Sequence, residues 1–300
     1  MPTFAWAQKT FQIFPSNREI ALAPDWTTKN GLDRLNPISI DPGFEAEARQ
    51  RRCPSTGDEH ADAENGRHHR RISGHRRGPR QQLSRKRLHV VATSRRVSQS
   101  AEINASDRLA RVDGDIADPE TAKAVVETAL ARFGSIEALV NNAGIFFTKP
   151  FIDYTIEDYR RLSATNLEGF LHLTQRVVRQ MLAQKSGGSI VSITTPMVDH
   201  PIAGLNASVA MLTKGGIEAM SKNIAMEYAK EHIRANTVAP GIVDTPLHKD
   251  NPKDFLKTLS PMQSISSVQE IADAVLFLTE APRITGQVLY VDGGAHLGRW

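Results

Sequence analysis

Ala138-Leu139-Val140-Asn141-Asn142-Ala143-Gly144 is the stretch whose reading decides the fold. An apolar run stops at a cluster of small and polar residues, the pattern of a buried strand that ends in a close-packed turn. Downstream the same punctuation recurs and the chain reads as regular α/β structure. Upstream it fails. Where a first strand, a glycine-rich turn and a helix would be needed to complete such a pattern, residues 67–87 read RHHRRISGHRRGPRQQLSRKR.

Working outward from 138–144, each segment has a local signal. LHVVAT (88–93) reads as a buried strand, and Arg108 to Val112 as a shorter one ending in Asp113-Gly114-Asp115. Asp118-Pro119-Glu120 starts a helix, with Asp as N-cap and Pro in the first turn, and Gly134 stops it. Thr155 to about Lys185 reads as helical, ended by Gly187-Gly188. SIVSIT is a strand, Ala207 to His232 a helix, RANTVAP a strand, Val268 to Thr279 a helix and QVLYVDGG a final strand. Strands alternating with helices of this length predict a doubly wound, mostly parallel sheet in three α/β/α layers.

The first part of the chain gives no such rhythm. Residues 1–60 hold no sustained period; FQIF and REIALA are apolar but too short to assign. Residues 61–87 lack a core-forming face. The expectation is an irregular, disordered and non-native segment over 1–87, and one α/β domain over 88–300. The net charge of +4 owes much to the arginine-rich block. A single cysteine, Cys53, excludes an internal disulfide framework and suits a reducing cytosol. No run approaches the roughly 18 apolar residues of a membrane span, and MPTFAWAQKTFQIFPSNREIALA lacks the parts of a signal peptide. A cytoplasmic protein is expected, without membrane or nucleic-acid partners and without a metal site.

Five motifs, in order and at matching spacing, make residues 88–300 resemble the short-chain dehydrogenase/reductase family. They are NNAG after an apolar strand, Asn166 in TNLEGF, Lys214 in TKGGIEAMSK, Pro240-Gly241 with Thr245 in VAPGIVDTP, and ITGQVLYVDGG near the C-terminus. The resemblance implies a Rossmann-type fold, a nicotinamide cofactor, an alcohol or carbonyl substrate, and a homo-oligomer, dimer or tetramer. It implies cofactor contacts at Asn142, Ala143, Gly144, Asp115, Ile116, Lys214, Pro240, Gly241 and Thr245. Elementary topology agrees, since ligands of an open parallel sheet bind beyond the carboxyl ends of its strands. Arg95 and Arg96 follow the strand ending at Thr93. An acid there would bond a ribose 2′-hydroxyl, whereas arginines suit a 2′-phosphate, so NADP(H) is favoured and NAD(H) remains open.

The catalytic set departs from the family. The resemblance implies Asn, Ser, Tyr and Lys, with Tyr as general acid. Asn166 and Lys214 are present, Thr195 best matches the serine position, with Thr194 one step away, and Ala210 stands where the tyrosine belongs. A methyl group has no proton to give, and general acid catalysis typically contributes about 10²–10⁴-fold. His200, in the loop after Thr195, is a candidate substitute acid; Ser208 points away from the tyrosine direction. Two functions follow: an oxidoreductase moving a hydride between NADP(H) and an alcohol or carbonyl through an atypical catalytic set, or a catalytically silent member of the same fold that senses cofactor or assembles.

The basic block has a genetic-code explanation. Read one base later, CGG before C becomes GGC, so an arginine-rich text hides a glycine-rich one. Permitted codons for residues 63–89 then spell QKTVVITGASQGIGAALVNSFLESGYT. That is a strand, a TGxxxGIG turn and an amphipathic helix leading into Val90-Val91-Ala92-Thr93. The expectation is a frame disturbance near His89-Val90. The family's first strand lies between those represented by LHVVAT and IEALV, so its loss is expected to leave both edges unpaired.

Overall fold

The computed structural model describes residues 6–8, 11–14, 88–100, 103–245, 248 and 251–298. All of these belong to one compact unit, residues 1–28 with 85–300. The irregular segment expected at 1–87, including the arginine-rich block, lies almost wholly outside the described residues; its exceptions are two short strands, β1 (Trp6–Gln8) and β2 (Phe11–Phe14).

The remaining elements follow the expected order. Strands β3 (Val90–Ser94) and β4 (Leu109–Asp113) precede helix α1 (Pro119–Phe133). Asp118 caps α1 by accepting a bond from the Glu120 amide, 2.9 Å, and Gly134 ends it in the left-handed conformation at φ 83°. β5 (Ala138–Asn141) and β6 (Gly144–Phe146) lead to α2 (Ile156–Ser163), a π-helical turn (Ala164–Glu168) and α3 (Gly169–Gln184). Then come β7 (Gly188–Ile193), α4 (Ser208–Glu227), β8 (Ile233–Pro240), α5 (Lys253–Lys257), α6 (Val268–Glu280) and β9 (Val288–Val291).

Seven strands form one sheet in the order β4-β3-β2-β5-β7-β8-β9. The pairs β3–β4, β5–β7, β7–β8 and β8–β9 are parallel, as the α/β alternation requires. One face buries Val91, Leu139 and Ile190 against Val125 of α1, Leu173 of α3 and Ala225 of α4. The other buries Val140, Val191 and Val238 with Ile271, Val275 and Leu278 of α6. No helix among the described residues is long and apolar enough to cross a membrane.

One expectation is corrected. The edges of β3 and β5 are not left open. β2 lies between them and pairs with both, antiparallel, with Ile13 opposite Val91 on one side and Leu139 on the other. Two facing rows of buried backbone donors and acceptors demand partners, and a four-residue apolar segment is long enough to supply them. β1 extends the arrangement by pairing antiparallel with β6 in a separate two-stranded sheet.

Candidate functional site

The site forms where β5, β7 and β8 end. Asn166 sits in the π-helical turn between α2 and α3, where one extra residue in the helical ladder re-aims a side chain. Its carboxamide accepts from the Ile145 amide at 2.8 Å and donates to the Ile145 carbonyl at 3.1 Å and to Thr213 Oγ1 at 2.9 Å. Thr213 in turn donates to the Ala210 carbonyl at 2.8 Å. A single buried amide thus ties β6 to two helices.

Lys214, on α4, donates to the Ile193 carbonyl at the end of β7, 2.8 Å. Its burial pushes the ammonium down to about 8. Gly144 completes the group: a Cβ placed on it would sit 3.2 Å from both Asn166 Oδ1 and Lys214 Nζ. Gly144, Asn166 and Lys214, widely separated in sequence, are therefore brought to one point.

Ala210 lies one helical turn before Lys214, 1 % exposed, in an apolar cluster with Ile145 and Leu162. Thr195 is half-buried and extended at the end of β7, and its hydroxyl does not cap the turn that follows. Its neighbour Thr194 is buried, its amide donating to the Val238 carbonyl at 2.8 Å and its hydroxyl to the same carbonyl at 3.4 Å. His200 is exposed. Its ring lies 5.9 Å from that of Tyr290 and 5.7 Å from that of His296. Tyr290 donates to Asp199 at 2.8 Å, and burial first, then that carboxylate, pushes its phenol up to about 12.

The expected nucleotide-contacting residues line the same edge of the sheet with different roles. Arg95 and Arg96 are exposed immediately after β3. Asp115 is exposed and accepts from the Ala117 amide at 3.0 Å. Ile116 buries its side chain in the core against Gly169. Asn142 and Ala143 form the half-buried turn after β5. Pro240 ends β8, and Gly241 follows where a Cβ would fall 2.8 Å from Asp292 Cα. Thr245 is half-buried; residues 246, 247, 249 and 250 beyond it lie outside the described residues.

Several contributors were not singled out from sequence. Thr213 anchors Asn166, while Thr174 and Ser192 hold the Asn141 amide at 3.1 and 3.3 Å. Glu218 is 3 % exposed with one carboxyl oxygen unpartnered, and burial raises its pKa. The available signal was a polar residue at a core-facing helical position, as Thr213 and Glu218 both are.

Comparison with known proteins adds the following. The family model described as enoyl-(acyl carrier protein) reductase matches residues 81–296. L-rhamnose 1-dehydrogenase (NAD(P)(+)) of Sphingomonas sp. (strain SKA58) is 31 % identical over 66 % of this chain and 80 % of its own. Carbonyl reductase family member 4 of Xenopus laevis is 34 % identical over 69 % of this chain and 86 % of its own. Among solved structures, a gluconate 5-dehydrogenase from Burkholderia cenocepacia J2315, in complex with NADP and tartrate, superposes with a TM-score of 0.62. It is 27 % identical and covers 70 % of this chain and 86 % of its own.

Proposed function

The chain belongs to the short-chain dehydrogenase/reductase family, and from that premise we propose that it is an oxidoreductase moving a hydride between NADP(H) and an alcohol or carbonyl through an atypical catalytic set. The observation that carries this reading is the convergence of Gly144, Asn166 and Lys214 at the carboxyl end of a parallel sheet. A glycine there leaves open the space a side chain would fill, which fits a planar ring approaching the backbone. Asn142, Ala143, Gly144, Lys214, Pro240, Gly241 and Thr245 would hold the nicotinamide half of the cofactor, and Asp115 with the Ile116 backbone its adenine. Arg95 and Arg96 would meet a 2′-phosphate, which favours NADP(H) over NAD(H). The bound cofactor supplies or accepts the hydride. Thr195 orients the substrate oxygen, Asn166 fixes the β6 backbone beside it, and Lys214 places an ammonium next to it.

Ala210 supports a second reading, a catalytically silent protein that keeps the fold for cofactor sensing or assembly. His200 is the residue through which the first reading could regain a proton donor. On either reading we take residues 63–89 as out-of-frame coding sequence. The protein is read as cytoplasmic, acting on a small molecule and assembling as a dimer or tetramer, with exposed Leu171, Leu212 and Met226 on α3 and α4 as apolar surface for contact. The test is turnover of an alcohol and carbonyl panel with NADPH and with NADH, by the chain as written and by a frame-corrected version. Corrected protein that binds NADPH better than NADH and turns over a carbonyl supports the enzyme. Tight binding without turnover of any panel member supports the silent reading. Equal NADPH affinity of both chains overturns the frame assignment.

A further inference from the structure

Among the described lysines Lys214 has surroundings of its own. Lys123, Lys149, Lys253 and Lys257 each lie within 3.4 Å of a carboxylate. Lys185, Lys222 and Lys230 are exposed to water. Lys214 has neither form of support. It is half-buried, and among the described residues its partner is the neutral Ile193 carbonyl at 2.8 Å. The carboxyl nearest to it along α4 is Glu218, one turn on, itself buried and raised in pKa by that burial. One turn before it stands Ala210, a methyl where a phenol or carboxylate would have held the nitrogen as an ammonium. A cation in such a place is disfavoured against the free amine, and burial brings Lys214 down to about 8. A neutral amine carries a lone pair, and a desolvated lysine is a nucleophile toward carbonyl carbon.

The surroundings also leave a way in. Lys214 Nζ lies where β7 ends, bonded two residues before Thr195. Across from it Gly144 projects only a hydrogen, at a place where a Cβ would stand 3.2 Å from Nζ. Asn166 Oδ1 is already engaged by the Ile145 amide, so it does not compete for the amine. Ala210 belongs to an apolar cluster with Ile145 and Leu162, which offers a short hydrocarbon chain a wall to rest on.

We propose that Lys214 is an amine nucleophile that captures unhindered, apolar aldehydes as a reversible imine, an activity separate from hydride transfer. The nitrogen lone pair forms a bond to the carbonyl carbon. The former carbonyl oxygen takes a proton and the nitrogen gives one up. Water then leaves as the carbon–nitrogen double bond forms. One amine and one aldehyde become one imine and one water, and neither oxidant nor reductant is consumed.

The test incubates the full chain as written with propionaldehyde at about pH 7.5 and reduces any imine with sodium borohydride to a stable secondary amine. Peptide mass spectrometry then reads the propylated fraction at each lysine. At that pH the neutral fraction of an amine titrating at about 8 exceeds that of an ordinary lysine by roughly two hundredfold. Lower basicity and restricted access take back a part, so Lys214 should carry at least roughly tenfold more label than Lys185, Lys222 or Lys230. Its label should level off as aldehyde rises, as an equilibrium imine requires, and urea should erase the preference. Gly144→Ala, which sets a methyl beside Nζ, should lower the label at Lys214. Should that variant fail to fold, the unmutated chain decides alone. Label spread evenly over the lysines of the folded chain, a Lys214 signal that rises without saturating, the same preference in urea, or undiminished label in a folded Gly144→Ala chain overturns the proposal. Carbonyl turnover with NADPH by a chain whose Lys214 takes no label would sink the imine and leave the oxidoreductase standing. Label without turnover would keep the imine and favour the silent reading of hydride transfer.

Discussion

Replacing Asn166 by alanine should cost the fold about 3–5 kcal/mol, and the number follows from its partners. The carboxamide satisfies three polar groups: the Ile145 amide, the Ile145 carbonyl and the Thr213 hydroxyl. Asn166 is 1 % exposed and Ile145 6 % exposed, so water does not replace it freely. A buried donor or acceptor left unmade costs about 1–3 kcal/mol. Two backbone groups at the middle of that range, with a smaller loss at Thr213, give the estimate. Against a typical domain stability of about 5–15 kcal/mol this is a large share. Asn166→Asp separates the contributions. It keeps an acceptor for the Ile145 amide but turns a carboxylate toward the Ile145 carbonyl, so it should be no better tolerated than alanine. Urea unfolding followed by circular dichroism measures both. Loss of less than about 1 kcal/mol in either variant would refute the view that this amide fastens β6 to α4 and the π-helical turn.

Three further outcomes are expected. In frame-corrected protein Ala210→Tyr should raise carbonyl reduction about 10²-fold, provided the apolar cluster around Ile145 and Leu162 admits the ring, and Lys214→Ala should abolish the gain; unchanged turnover, with His200→Ala destroying a native activity, would move the proton donor to the loop after Thr195. Lys214 falls from 10.5 to about 8 on burial, so its charge weakens the folded state below pH 8 and the penalty fades as pH rises to 10.5. Stability should therefore climb by about 3 kcal/mol in all across that window, and Lys214→Met should flatten the slope; parallel slopes in unfolding titrations would exclude the burial argument. Gly241→Ala should destabilise by about 1–3 kcal/mol, because the new methyl meets the Asp292 backbone at 2.8 Å and one strand end must shift, whereas an unchanged melting temperature would mean that the two strand ends part freely.

Much of the fold was legible because its punctuation is local. Asp118, Pro119 and Gly134 bound α1 as their chemistry requires, and Gly188 opens β7 where the glycine pair ended the preceding helix. Three features were not legible. The π-helical turn at Ala164–Glu168 interrupts what reads as one helix from Thr155, and it owes its place to the bonds Asn166 makes outside its own segment. β6 was read as loop because a three-residue strand exists only by virtue of its partner. β2 was left unassigned because FQIF carries no period, and what makes it a strand is the demand of two distant neighbours. Strand pairing is settled between segments, which is why sequence pattern reaches helices better than it reaches short strands.

The site divides along the same line, and the division bears on function. Asn166, Lys214 and the small residues of 142–144 were readable as a set, whereas Thr213 and Glu218 were not, being ordinary polar residues until packing buries them. Retention of Asn166 says little about catalysis, because the amide fastens three elements and its loss would damage the fold whether or not chemistry occurs. Lys214 is different. Its buried ammonium opposes folding at neutral pH, and its bond to the Ile193 carbonyl spares only one acceptor. A chain that kept the fold alone would gain by replacing it with an apolar residue of similar length. Ala210 is the converse case: alanine completes an apolar cluster with no side-chain polar group to satisfy. Lys214 thus weighs toward a ligand that uses the charge, Ala210 weighs against ordinary proton donation, and the proposed oxidoreductase with an atypical catalytic set is the reading in which both residues make physical sense.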